Sequence, residues 1–417
     1  MRISSCRRVT IASWFARAAS MNCCMIVLPT CSHGLCGRWV RSRHLSVLPP
    51  EGPGRAAANT ACDVPASAPA GVRTMLQCHV DNPAARRYDI ITVGSSTEDV
   101  MVKCSDARVI TLADRNGAAA WMAFEYGGKI HVDDMTIMVG GGAVNTAITF
   151  VQQGMRTAMI SKVGRDSAGE RIAARIEEAG ALTHLMAHSE TSGTGYSTII
   201  TTFTGERTIL VHRGASRELC EEDIAWDELA QTEWAYVGAL AGQSWRLYPV
   251  LAQFAAEHDI KLTLNLGTSQ IDRGLEEYGE LLESTYMIFQ NREEMRRLTG
   301  VAAEPGDRDE REICRRLHER GVDIVVITDG SRGAVASDGR ALYTVPAYTV
   351  QVRSTVGAGD AFAAGCISAL RHGTGMTEAL RLGAANAASV CREVGANSGI
   401  LTWDEALRFV AEHKTRS

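Results

Sequence analysis

Between residues 87 and 417, short apolar runs alternate with stretches of helical spacing, and this rhythm restricts the fold more than any other feature of the chain. Tyr88-Asp-Ile-Ile-Thr-Val-Gly94 is an apolar run ending in glycine, the pattern of a first, buried strand. Ala158–Val163, Trp234–Leu240, Lys261–Leu266, Tyr286–Gln290 and Asp323–Thr328 read as further strands. Ser167–Ala179 reads as a helix, with Ile172, Ala173 and Ile176 spaced along it and Gly180 as its C-terminal cap. Trp245–His258 and Arg308–Arg320 read as helices too, and Glu293–Leu298 opens another. Such a βαβα succession predicts an α/β fold, a three-layer α/β/α with a mostly parallel central sheet.

One stretch breaks the rhythm. Tyr196–Phe203 and Arg207–His212 are β-branched runs joined by Thr204-Gly205-Glu206, which reads as a hairpin. Together with Met101–Leu112 it forms a small β-sheet apart from the main one, covering about 98–112 and 190–213. It reads equally as a lid that covers a substrate and excludes water or as a plain edge hairpin.

The whole chain carries a net charge of −5, but the charge is unevenly spread. Residues 1–86 hold ten Arg, no Lys and three acids (Glu51, Asp63 and Asp81), a net of +7 that leaves −12 for residues 87–417. An Arg-rich, acid-poor, Ser- and Ala-rich segment resembles an organellar transit peptide. Residues 1–86 are therefore expected to be a transit-like or disordered extension, or mispredicted upstream sequence with Met75 as the start, and 87–417 the folded domain. Cys31-Ser-His33-Gly-Leu-Cys36 lacks the second ligand pair of a structural zinc site and reads as unstructured thiols. The later cysteines are scattered and suit a reducing compartment. The expected location is cytoplasmic, or mitochondrial or plastid-like if the transit peptide is genuine. No run approaches 18 apolar residues and no overall basic footprint exists, so neither a membrane nor nucleic acid is an expected partner.

The sharpest chemical signal is Ser354-Thr355-Val356-Gly357-Ala358-Gly359-Asp360, between a β-like run (Ala347–Val352) and a small-residue helix (Asp360–Arg371). Glycines at a helix start let N–H groups approach an anion, and the helix dipole favours negative charge there. Asp360 reads either as a helix cap or as a general base beside a phosphate site. The segment is not a Rossmann fingerprint, because Phe362 stands where the third glycine belongs, and no Walker A loop occurs. The second signal is Gly140-Gly141-Gly142-Ala143-Val144-Asn145, leading into helix Thr146–Gln153. Glycines there allow a ligand to lie against the backbone. Asn145 reads as an amide for sugar hydroxyls or as a helix cap.

Together these motifs resemble the ribokinase-like (phosphofructokinase B) family of sugar and nucleoside kinases, over roughly residues 88–410. Further pieces fall in the family's order: Gly94-Ser-Ser-Thr-Glu-Asp99, Val163-Gly-Arg-Asp-Ser-Ala-Gly169, Asn291-Arg-Glu-Glu294, Thr328-Asp-Gly330-Ser-Arg-Gly333 and Gly383-Ala-Ala-Asn386. The resemblance implies ATP-dependent phosphorylation of a hydroxymethyl group. It makes Asp360 the general base and the N–H groups of Gly357, Ala358 and Gly359 an anion hole. It assigns Asp99, Gly140, Gly141 and Asn145 to the sugar, and Asn291, Thr328, Gly330, Gly333, Thr355 and Asn386 to ATP. It implies magnesium, reached by Glu294 through water, and a homodimer through the outer face of the lid.

Departures narrow the substrate. Ser354 stands where many members carry the Asp tied to a monovalent-cation site, so potassium dependence is not implied. Gly142 replaces a Lys of ribokinases proper, and Val237-Gly238-Ala239-Leu240-Ala241 lacks their sugar-contacting Glu. The leading expectation is a sugar or sugar-acid kinase. A nucleoside kinase, with Met101, Tyr196 and Phe203 as walls for a base, is the first alternative. A non-catalytic sugar- or nucleotide-binding regulator on the same scaffold is the second. Arg207 and Arg213, flanking the hairpin strand, read as solvated charges more readily than as contacts to an anionic substrate.

Overall fold

The computed structural model describes residues 86–114, 117–202, 207–303 and 308–413. The expectations for residues 1–85, for Phe203 and for the Thr204-Gly205-Glu206 turn lie outside the described residues.

A central sheet of eight strands organises the molecule. From one edge its order is Leu342–Val345, Ala334–Ser337, Ile324–Thr328, Met287–Asn291, Lys261–Leu264, Thr232–Val237, Tyr88–Val93 and Thr157–Ile160. The strands from Ile324–Thr328 onward are parallel, and the other two are antiparallel. Alternate residues enter opposite layers. Ile91, Val93, Val237, Ile288 and Ile327 face helices Leu247–Glu257, Arg292–Thr299 and Arg308–His318. Ile90, Trp234, Tyr236, Phe289 and Val326 face Ala358–Arg371, Met376–Cys391 and Trp403–Glu412. Burial on both faces explains why these strands read as continuous apolar runs, each large side chain contributing about 1.5–3 kcal/mol. The three-layer α/β/α expectation holds.

The small sheet has four strands in the order Arg207–His212, Gly195–Thr201, Thr97–Lys103 and Asp134–Gly140. Its extent differs from about 98–112 and 190–213. Asp134–Gly140 pairs with Thr97–Lys103, whereas Arg108–Asp114 forms a separate hairpin with Gly117–Ala123. Asp134–Gly140 carries Met135, Ile137 and Val139 at alternate positions, yet it is exposed along most of its length, and only the fold shows which strand it joins.

Residues 347–352 form no strand, contrary to expectation. The backbone here is tied to a helix end, Arg353 N–H donating to the Cys391 carbonyl at 2.8 Å, and Val352 is 57% exposed. Among the described residues no helix is long and apolar enough to cross a membrane.

Candidate active site

Three parallel strands, Lys261–Leu264, Met287–Asn291 and Ile324–Thr328, end at one cavity of about 220 Å³. They deliver Asn265, Gln290, Asn291 and Thr328 to its wall, which Phe289 and Glu294 share with Gly357, Gly359 and Asp360. Ligand sites of open α/β sheets lie beyond the carboxyl ends of their strands.

Gly357 turns the chain into helix Ala358–Arg371 at φ 79°, and a side chain there would strike the Ala396 backbone. The first bond into the helix is Ala361 N–H to the Gly357 carbonyl, 2.9 Å. The N–H groups of Gly359 and Asp360 precede it and lie at the positive end of the helix. The Ala358 N–H is already turned toward the Thr355 carbonyl at 3.4 Å.

Asp360 lies in the first turn of this helix. Its Oδ2 accepts from Asn145 Nδ2 at 2.8 Å. Burial pushes the Asp360 carboxyl up to about 6, against the Asn145 amide, which holds it down. Asn145 lies in helix Gly142–Gln152 and is oriented in turn by Asn397. The Asn397 amide donates to Asn145 Oδ1 at 3.3 Å and to the Val139 carbonyl at 2.8 Å, so the Asn145 donor faces Asp360.

Asp99 lies on the lid strand Thr97–Lys103, almost wholly buried, and accepts from Thr97 Oγ1 at 3.0 Å. Burial raises its carboxyl, opposed by bonds from Thr97 and Ser197. Gly140 leaves room for that carboxylate, since a Cβ there would land on Asp99 Oδ2. Gly141 follows as the cap of helix Gly142–Gln152. Asp99, Gly140, Gly141 and Asn145 thus form a continuous path from the lid to Asp360.

Asn291 and Glu294 form a reciprocal capping box at the start of helix Arg292–Thr299. Glu294 N–H donates to Asn291 Oδ1 at 2.9 Å, and Asn291 N–H donates to Glu294 Oε2 at 3.2 Å. Burial raises the Glu294 carboxyl. Among the described residues no group of three His, Cys, Asp or Glu could hold a metal ion. A donor set of one carboxylate and one amide fits magnesium that keeps its waters and takes its inner ligands from phosphates. Gly330 and Gly333 bound the turn after Thr328, where Asp329 N–H meets the Gly333 carbonyl at 2.8 Å. Thr355 is exposed, and its hydroxyl accepts from Arg207 of the lid at 2.9 Å.

Asn386 corrects the expectation that it touches the nucleotide. It is fully buried, with Nδ2 donating to the Ala361 carbonyl at 2.9 Å and Oδ1 accepting from Leu401 N–H at 3.0 Å. These bonds join helix Ala358–Arg371 to the entry of Trp403–Glu412, and with no exposed surface Asn386 offers nothing to a ligand. The residues that sequence reasoning missed are Asn265, Asn397 and Ser197. Asn265 carried a usable signal, a polar residue closing an apolar strand at its carboxyl end. Asn397 carried none, because only the tertiary fold brings it to Asn145.

A family model described as pfkB family carbohydrate kinase matches residues 109–403. The chain is 30% identical to a ribokinase of Haemophilus influenzae over 286 residues, covering 66% of this chain and 88% of the relative. The fold is similar to that of Arabidopsis thaliana ribokinase solved with ribose and ATP, with a TM-score of 0.65 and 21% identity, covering 78% of this chain and 98% of that one. It is also similar to that of a nucleoside kinase of Methanocaldococcus jannaschii, with a TM-score of 0.60 and 21% identity, covering 79% and 100%.

Proposed function

The chain belongs to the pfkB family of carbohydrate kinases and is a phosphotransferase with an alcohol group as acceptor. From that premise we propose that it transfers the γ-phosphate of ATP to a hydroxymethyl group of a sugar or sugar acid. Asp360 is the general base, and the backbone at Gly357, Ala358 and Gly359 is the anion hole. The observation that carries this reading is the Asp360 carboxyl, raised to about 6, on the first turn of a helix whose Gly359 and Asp360 N–H groups precede its first internal bond.

Asp99 and Asn145 hold substrate hydroxyls and present one to Asp360. The acceptor proton passes to the Asp360 carboxylate as the acceptor oxygen attacks phosphorus, and the anion-hole amides stabilise the charge that develops. Asn291, Thr328, Gly330, Gly333 and Thr355 hold ATP. Magnesium, when bound with ATP, neutralises phosphate charge, with Glu294 and Asn291 reaching it through water. The nucleoside alternative has less support. Met101 shares the face of Asp99, but Tyr196 sits opposite Glu98 in the lid register, on the face away from Asp99.

A coupled ATP-turnover assay of the full chain against hexoses, pentoses, sugar acids and nucleosides tests the reading. A sugar or sugar acid is expected to be the fastest acceptor. A nucleoside in first place supports the alternative kinase, and ATP binding without turnover on any acceptor supports the regulator.

In the same assay, kcat/KM for the acceptor is expected to rise with pH through about 6 and then level, because only the deprotonated carboxylate accepts a proton. Asn145→Leu removes a donor that favours the ionised form, so the rise moves to higher pH, whatever happens to its height. An unmoved profile would separate Asn145 from the base.

The outer face of the lid is our proposed contact between two copies of the chain. Met135, Ile137 and Leu210 there are 58%, 52% and 58% exposed. Leu210→Asp is expected to halve the mass read by sedimentation, and a mass unaffected by it argues against this contact.

A further inference from the structure

The cavity that receives the phosphate is poor in positive charge. Its wall holds two carboxylates, Asp360 and Glu294, and neither lysine nor arginine. A phosphoryl group in transfer spreads negative charge over its oxygens, and cationic donors at that point carry much of the catalysis. Arg207 brings a cation to Thr355, on the loop that leads into Gly357 of that wall. It opens the lid strand Arg207–His212 and pairs in register with Thr201. By strand alternation it shares the face of Asp99 and Ser197, because Asp99 pairs with Ser197 and Ser197 with Val211. Its Nη2 donates to Thr355 Oγ1 at 2.9 Å, two residues before Gly357. No carboxylate among the described residues pairs with the Arg207 guanidinium, which leaves N–H groups for a further acceptor.

We propose that Arg207 is a catalytic residue supplied by the lid, which donates hydrogen bonds to the phosphoryl group during its transfer. This rests on the kinase reading above. In the transfer, the bond between the γ-phosphorus and the β–γ bridging oxygen breaks, and its electron pair leaves with ADP. The acceptor oxygen forms the new bond to phosphorus, and its proton goes to Asp360. Arg207 neither gains nor loses a proton. Thr355 lies on the loop of the anion hole, so the guanidinium meets the acceptor at the end being phosphorylated, not at its far end. Closure of the lid over an acceptor then adds the missing positive charge, which ties phosphoryl transfer to acceptor binding.

The test compares the full-length natural chain with Arg207→Gln and Arg207→Lys. Arg207→Gln is expected to lower kcat by about 10²–10³-fold, the scale of removing one transition-state donor, with acceptor KM within about threefold. Arg207→Lys should recover part of the loss, because a point charge replaces a fork. Binding of ADP alone should be unchanged in Arg207→Gln. Binding of ADP with aluminium fluoride and the acceptor, a mimic of the group in transfer, should weaken by at least about tenfold, which a merely structural role would not produce. An Arg207→Gln variant with kcat within threefold of natural, or one that only raises acceptor KM, overturns the assignment while leaving the kinase reading intact. A natural chain inactive on every acceptor overturns both.

Discussion

Asp360→Asn is expected to lower turnover by at least about 10²-fold while ATP binding stays near that of the natural chain. The substitution keeps the shape of the side chain and an oxygen that accepts from Asn145 Nδ2, now at 2.8 Å from Asp360 Oδ2. It removes the carboxylate proposed to take the proton of the acceptor alcohol. The anion-hole turn should survive, because its geometry rests on Gly357 and on the Ala361-to-Gly357 backbone bond rather than on the carboxylate. ATP affinity is read by calorimetry with a non-hydrolysable analogue, and turnover by the coupled assay. The variant should also lose the rise of activity through about pH 6, since the group responsible is gone. Turnover close to that of the natural chain, or an unchanged pH profile, would contradict the assignment of the base.

The elements of the body were legible because the sheet is covered on both sides, so each strand is a mostly apolar run, as Ile324–Thr328 is up to its last residue. Asp360 and the Gly357 turn were legible for a local reason: the positive φ, the helix start and the acid all fall within four consecutive residues. Residues whose role depends on a distant partner left no such trace. Asn386 sits on a helix face that a motif assigns to the nucleotide, yet its bonds to the Ala361 carbonyl and to Leu401 N–H make it a buried brace. Arg207 is exposed, as a solvated strand charge is, but nothing local in the sequence shows that the fold also sets it against Thr355, 148 residues along the chain. The Asn-x-x-Glu pattern shows a third case. One pair serves as a capping box and as part of the cavity wall, so its local and ligand-side readings are both compatible with the geometry.

Arg292→Met is expected to destabilise the protein by about 3–5 kcal/mol, the scale of removing one member of a buried ion cluster. Arg292 stands between Asn291 and Glu294 in sequence, yet its side chain points away from their capping box into a buried ion cluster. It is 6% exposed, and pairs with Asp309 at 3.1 Å, with Glu310, and with Asp329 at 2.9 Å. Asp309 has no exposed side-chain surface and retains Arg296, and Asp329 retains Arg332 at 2.8 Å, so removing Arg292 takes one cation from a shared network. For a domain of this size the penalty corresponds to a melting temperature lower by about 4–7 °C. The effect should reach the site, because Asp329 lies between Thr328 and Gly330 in the turn beside the cavity. KM for ATP should therefore rise while the pH profile set by Asp360 stays in place, a split that separates a loosened turn from a damaged base. Adding Glu310→Leu to Arg292→Met removes a buried carboxylate that has lost one of its contacts and should recover part of the lost stability. If Arg292→Met melts at the temperature of the natural chain, the cluster does not hold the turn, and the link between it and ATP binding is lost.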